Sequence, residues 1–277
     1  MSFQDHVDAH RDDLTPSDRI LVDELLSYPV EAPLWSGEEL ARRAGVHPAA
    51  ATRLAQRLGY DGYLRLRDDL RQSHASANAG AGDRFRIELQ ETGEQSVLEQ
   101  LLTTELETLA QLCRHVRQPQ LDALADRIVG SRTTYLFARG NASVLAELME
   151  RRLRRFGIRT VVVEGTGRDV AERVLTMGAD DTVLTFAFRR PPRHLVELLA
   201  HAERVGATTA LVTDTLHTLT PAPSTVLSAP RGHQEGFASL SVPMAIANAL
   251  VLTIARRHDA ALLPTLDALD GLMSDFD

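Results

Sequence analysis

Lysine is absent from this sequence of 277 residues, and all 30 basic residues are arginine. Without a lysine there is no Schiff-base amine, no pyridoxal-phosphate anchor and no P-loop, whose motif requires that residue. The single cysteine, Cys113, excludes an internal disulfide and a multi-cysteine metal cage, and fits a reducing cytoplasm. No apolar run approaches the roughly 20 residues that a membrane span needs. The opening stretch MSFQDHVDAHRDD is acidic and polar, the opposite of a signal peptide. His6 and His10 lie four apart beside Asp5 and Asp8, a metal-ligand spacing, but in a terminus expected to be loose. Neither a metal nor a cofactor is expected.

What is present suffices for two cores. Hydrophobic residues make up 44% and charged residues 25%, which excludes a disordered chain. The net charge of −8 argues against a protein that coats nucleic acid, but it conceals a gradient. Residues 1 to 39 hold two arginines against ten acids, whereas residues 40 to 71 hold seven arginines against three. A basic island in an acidic chain is a focused footprint for a polyanion.

The island coincides with short helical patterns. After the cap Thr15-Pro16-Ser17, Ile20, Leu21, Leu25 and Leu26 fall on one helical face, and Pro29 and Pro33 end that helix. Ser36 stands three residues before Glu39, a capping-box spacing, and a second helix with Leu40, Ala41 and Ala44 stops at Gly45. His47 then offers a cap, Pro48 suits a first helical position, and a third helix is expected to run to Gly59. Two short helices joined by a tight glycine turn are the mark of a helix-turn-helix. On the second, Ala51, Leu54, Ala55 and Leu58 face inward, so Ala49, Thr52, Arg53, Gln56 and Arg57 face out. Arg53 and Gln56 suit bidentate bonds to base edges, Thr52 a thymine methyl, and small Ala49 close approach to the groove. Arg42, Arg43 and Arg57 suit phosphates, and His47 completes the candidate DNA contacts. A generic helical bundle with a solvated polar face is the alternative.

The stretch LARRAGVHPAAATRLAQRLGYDGYLRLRDDL resembles the N-terminal helix-turn-helix of RpiR-type bacterial regulators, over roughly residues 15 to 71. Such proteins join it to a C-terminal SIS (sugar isomerase) domain. One departure is visible: His47-Pro48-Ala49-Ala50 stands where the family has a Ser/Thr-bearing stretch.

Residues 73–83, SHASANAGAGD, have the composition of a flexible linker. Beyond them Leu98, Leu101, Leu102, Leu106, Leu109, Leu112 and Val116 recur at helical spacing, as core contact or as a dimer seam. From Thr133 onward apolar runs alternate with helical patterns. TTYLFA precedes a helix over 142–155, TVVVEG one over 169–177, and DTVLTFAF one over 193–204; TTALVTD and STVLSA follow, with a last helix over 237–257. This alternation implies parallel βαβ units in a five-stranded, doubly wound sheet, with ligands beyond the carboxyl ends of the strands. The loops there are Ala138–Ser143, Glu164–Arg168, Phe188–Arg193 and Thr213–His217.

YLFARGNASVLAELMERRLRRFG and TVLTFAFRRPPRHLVELLAHAERVGATTALVTD resemble parts of a SIS domain, and the overlap covers about residues 120 to 257. The resemblance implies sugar-phosphate binding by hydroxyl-bearing loops, yet Ala138, Ala142, Ala187, Arg189, Arg190 and Pro192 replace glycine, serine and threonine of that cradle, and Ser143 is displaced by one. Two readings stay open. Arg139, Arg189, Arg190 and Arg193, with Gly140, Asn141, Ser143 and Glu235, form a site for a different anion, or the pocket is degenerate. Arg231, His233 and Glu235 lie where an isomerase could place an acid/base pair. The run Arg151, Arg152, Arg154, Arg155 ends a helix, where cations meet the macrodipole favourably.

The expected protein is therefore α plus α/β: an all-helical helix-turn-helix domain over residues 1–72, the linker over 73–83, and a SIS-like α/β domain over 84–277. The expected function is a cytoplasmic, dimeric or higher homo-oligomeric transcriptional regulator without catalytic residues. Its partners are a double-stranded DNA operator in inverted repeat and an anionic metabolite effector. The alternatives are a sugar-phosphate isomerase, or a DNA-binding regulator whose SIS-like domain is purely structural.

Overall fold

Thr15 opens the first helix, α1 (Pro16–Ser27), by a reciprocal cap: its hydroxyl accepts from Asp18 N–H at 3.3 Å while the Asp18 carboxylate takes the Thr15 N–H at 2.9 Å and its O–H at 2.5 Å. The computed structural model describes residues 3, 6–7, 10, 13–28, 31–78, 96–214, 219–231 and 238–276. The candidate residues His233 and Glu235, and positions 79–83 of the expected linker, lie outside them. Of the described residues, those up to Leu101, with Ala238, form one compact unit, and the others from Leu102 onward form a second.

In the first unit α1 is followed by a 3-10 turn (Ala32–Leu34), α2 (Gly37–Arg43), α3 (Ala50–Arg57) and α4 (Tyr63–Asn78). Leu21, Leu25, Leu40, Leu54, Leu58 and Leu66 form its core. Phe3 and Val7 join them at 2% and 3% exposure, which corrects the expectation of a loose N-terminus. Two apolar side chains four apart outweigh the acidic surroundings that suggested otherwise. His6 Nδ1 meets the Leu58 carbonyl at 2.6 Å, and no cluster fit for a metal exists among the described residues. Helix α4 continues six residues into the segment whose composition suggested a joint, because nothing between Ser73 and Asn78 interrupts a helix.

The second unit begins in α5 (Val97–His115) and continues through α6 (Gln118–Gly130) to a five-stranded sheet. The strands are β1 (Thr134–Ala138), β2 (Thr160–Val162), β3 (Thr182–Phe186), β4 (Thr208–Thr213) and β5 (Thr225–Ser228). All neighbours pair in parallel, in the order β2-β1-β3-β4-β5. Between them run α7 (Ser143–Arg155), α8 (Arg168–Val174) and α9 (Leu195–Val205); α10 (Ser241–Arg257) and α11 (Asp259–Phe276) close the chain. Successive strand residues point to opposite faces. Leu136, Leu184, Phe186 and Val212 pack with α6, α7 and α10, while Tyr135, Phe137, Val183 and Leu211 pack with α8 and α9. Both faces are covered, so every residue of β1 and β3 is buried.

Asp181 pins the start of the sheet. Its buried carboxylate accepts from Arg132 Nε at 3.1 Å, Arg132 Nη2 at 2.5 Å and the Gly178 N–H at 2.8 Å. Burial alone would raise its pKa, but Arg132 and the backbone donors outweigh that and hold it below the ordinary carboxylate value. A depressed folded pKa supplies stability above the unfolded value, about 3.9, and loses it as pH falls through the folded value. Denaturation midpoints measured from pH 7 down to pH 3 should therefore drop below about pH 4. Asp181→Asn should flatten that drop, and a variant with the wild-type pH profile would show that this carboxylate does not drive it.

Candidate nucleic-acid interface and effector crevice

The turn between α2 and α3 is built on Gly45, whose φ of +65° suits a residue without Cβ. The Gly45 N–H donates to Arg42 O at 3.3 Å and the Val46 N–H to Ala41 O at 2.9 Å, which closes α2. His47 does not cap the helix: its Nδ1 accepts from the Ala49 N–H at 3.2 Å within the preceding turn, and Ala49, the N-cap residue, makes no side-chain cap bond. Because residues 47–49 form a separate turn, α3 starts at Ala50 rather than Pro48. Ala51, Leu54, Ala55 and Leu58 are fully buried beneath α3, and His47, Ala49, Thr52, Arg53 and Gln56 are exposed. Thr52, Arg53 and Gln56 have no side-chain partner among the described residues, so their donors and acceptors face solvent together.

The phosphate candidates differ from one another. Arg42 is bonded to Glu39 at 2.6 and 3.1 Å in an exposed i,i+3 pair that a phosphate can replace. Arg43 is held more firmly, paired with Glu24 at 2.9 Å and stacked 4.1 Å from the Trp35 ring centre and 4.7 Å from that of Tyr28. Arg57 is directed inward: its Nη1 donates to the buried Asp18 carboxylate. The structure thus gives Arg57, expected on the DNA face, a role in holding α3 on α1. No local pattern announces this, since the partner lies 39 positions away.

In the second unit the strand order reverses between β1 and β3, whose ends pair in the register Ala138 to Phe186. The loops after these two strands are thereby neighbours, at the switch point where doubly wound sheets bind ligands. The candidate residues are divided. Arg139 is committed to backbone: Nη1 donates to Val163 O at 2.9 Å and Ala138 O at 3.3 Å, Nη2 to Gly165 O at 2.9 Å, and the guanidinium lies 4.5 Å from the Phe137 ring centre. Burial lowers its pKa, with Glu164 opposing. It ties the end of β1 to the loop after β2. The Ser143 hydroxyl donates to Gly140 O at 2.8 Å, at the start of α7, while Gly140 and Asn141 are exposed.

On the facing loop Arg189 is half-buried in a left-handed conformation (φ 63°), and its N–H donates to Asp214 Oδ1 at 2.8 Å. Arg190 and Arg193 are exposed. Asp214, just after β4, also accepts from Arg231 Nε and Nη2 at 2.8 and 2.6 Å. Arg231 lies after β5, 4.3 Å from the ring centre of Phe188 and 3.3 Å from Ser239 O. The sequence offers Arg231 as an acid/base candidate and Asp214 only as part of the Thr213–His217 loop; their pairing was hidden, because the ends of separate strands bring them together.

The sequence matches the family description of a helix-turn-helix domain, rpiR family, over residues 1–77, and of a SIS domain over residues 127–254. The sugar isomerase domain of an RpiR transcription factor from Sphaerobacter thermophilus is similar at 24% identity and a TM-score of 0.58, over 64% of this chain and 99% of that one. The Vibrio vulnificus NanR protein, complexed with ManNAc-6P, is similar at 15% identity and a TM-score of 0.59, over 100% of this chain and 99% of that one. At these identities the likeness is one of fold. No curated protein sequence matches the chain. Among the described residues no helix is long and apolar enough to cross a membrane.

Proposed function

We propose that this chain, which belongs to the RpiR-type transcriptional regulators and joins their helix-turn-helix to a SIS domain, reads duplex DNA through Thr52, Arg53 and Gln56 of α3. The observation that carries the reading is the exposed, unpaired polar face of α3 beyond a tight turn, set in the basic island of an acidic chain. Arg42 contacts phosphate by exchanging Glu39 for it, and Arg43 backs it. One helix-turn-helix has too small an interface for tight specific binding, so the active species is at least a dimer and its operator an inverted repeat. Arg53→Ala should weaken operator binding by about 1–3 kcal/mol and relax one base position, while Arg42→Ala weakens all sequences alike. Binding should also fall steeply with salt as counterions are released. Selection of bound DNA from a random library checks both, and an unchanged selected motif for Arg53→Ala refutes the assignment.

The second unit acts by linkage: an effector that favours one arrangement of the dimer changes half-site spacing, and so operator affinity, by no more than its differential affinity. The NanR structure carries a sugar phosphate. Here Ala142 and Ala187 replace hydroxyls, each lost neutral donor weakening a phosphate by roughly 1 kcal/mol. The effector is therefore an anion held by charge-assisted bonds from Arg189, Arg190 and Arg193, beside Gly140 and Asn141. We assign no catalytic step to this unit: of the acid/base candidates, Arg231 is engaged by Asp214, and His233 and Glu235 lie outside the described residues. Thermal shift against sugar phosphates and carboxylated metabolites should find an anionic ligand whose effect disappears in the Arg189→Ala, Arg190→Ala double variant. A sugar phosphate that still binds that variant tightly would place the cradle elsewhere.

A further inference from the structure

The last helix carries an apolar stripe that outruns its own domain. On α11, Leu262, Leu266, Leu269, Met273 and Phe276 recur at spacings of four and three, the pattern of a helix-pairing seam. Leu262 is buried in the core formed with α7 and α10. Farther along the same stripe Met273 is 55% and Phe276 89% exposed, with Leu272 beside them at 55%. A stripe that begins as core and ends in solvent lacks a partner for its second half.

Charge narrows the choice of partner. Helix α11 holds Asp259, Asp267, Asp270 and Asp275 and no cation, so two copies of it side by side repel. The complementary surface lies on the same unit. The outer side of α7 presents Val144, 46% exposed, together with Arg151, Arg152 and Arg155. The neighbouring Arg154 is paired with Glu150 at 3.1 Å, but these three have no side-chain partner among the described residues. The two surfaces do not cover each other within one chain. Helix α11 approaches the end of α7 by its first half, where a Cβ at Gly157 would stand 3.3 Å from Thr265.

We infer that α11 of each copy lays its Leu272, Met273 and Phe276 side onto the Val144–Arg155 face of α7 in a second copy, Asp267 and Asp270 meeting the arginines. In a two-fold pair each copy gives one helix and receives one, so the contact is made twice and closes. The inference rests on the dimeric reading above and supplies its interface.

Sedimentation of the full-length protein at micromolar concentration tests it, with circular dichroism as the check on folding. The wild type should sediment as a dimer. The triple variant Leu272→Gln, Met273→Gln, Phe276→Gln changes only exposed side chains, and should raise the dimer dissociation constant at least tenfold. Arg151→Glu, Arg155→Glu should do the same, and adding Asp267→Arg, Asp270→Arg should restore the dimer. A wild-type dimer unaffected by the triple variant overturns this interface and leaves the dimeric reading standing; a wild-type monomer overturns both. Dissociation by the triple variant but not by charge reversal, or charge reversal that the swap fails to rescue, removes α7 as the receiving surface.

Discussion

Replacing Arg57 by alanine should destabilise the DNA-binding unit itself, by about 3 kcal/mol, the low end for a broken buried ion pair. The reason is Asp18, whose side chain is 4% exposed and keeps only the Thr15 N–H and O–H once the guanidinium has gone. Because those two donors remain, the loss stays at the lower end of the range. A small unit has little reserve, whole domains being stable by only about 5–15 kcal/mol. Trp35, the one tryptophan of the chain, lies within this unit and reports its unfolding by fluorescence. The urea midpoint followed at Trp35 should fall for Arg57→Ala and stay near wild type for Arg53→Ala, whose side chain is exposed and has no polar partner among the described residues. Asp18→Asn combined with Arg57→Ala should lose less than the two single changes added together, since neither partner is then left as a buried charge. If Arg57→Ala unfolds with the wild-type midpoint and only DNA affinity drops, Arg57 is a phosphate contact and the ion pair is incidental.

The contrast between Arg53 and Arg57 shows what a sequence can and cannot disclose. Both follow from the same helical period as outward positions, and for Arg53 the period suffices because exposure is a local property. Arg57 sits at the margin of the face, where a long side chain reaches either solvent or the adjacent helix, and a carboxylate 39 residues earlier decides which. The same holds for Arg139. Its position after β1 is legible, but the carbonyls that hold it belong largely to the loop after β2, which parallel pairing brings alongside. The five strands themselves were legible, because strands covered on both faces read as continuous apolar runs between helical patterns. Their order was not, since it depends on which edge each crossover joins. Helices α6 and α11 flank the strand–helix alternation on either side, and Leu121, Leu124 and Ile128, and then Leu262, Leu266 and Leu269, mark them at helical spacing.

The second large effect belongs to Asp214. Its side chain is 9% exposed and that of Arg231 is 8%, and the pair lies at the carboxyl ends of β4 and β5. Asp214→Ala should destabilise the second unit by about 3–5 kcal/mol, because it removes the carboxylate that takes two bonds from the buried Arg231 guanidinium. It also removes the acceptor of the Arg189 N–H, and with it the bond that fixes the left-handed turn of the β3 loop. Arg231→Met should be as severe in the opposite sense, depriving the buried carboxylate of its cation and leaving it the Arg189 N–H. Asp214→Ala with Arg231→Met together should recover part of the loss, since an apolar pair of similar volume replaces both charges. Chemical denaturation followed by circular dichroism measures all three, and a single Asp214→Ala within about 0.5 kcal/mol of wild type would be the behaviour of an ordinary surface position instead. The pair also constrains the effector. With Arg231 engaged by Asp214, an anion at the switch point is left to the arginines of the β3 loop, so any ligand that stabilises wild type should lose its effect when Asp214→Ala releases that loop, even where the variant remains folded.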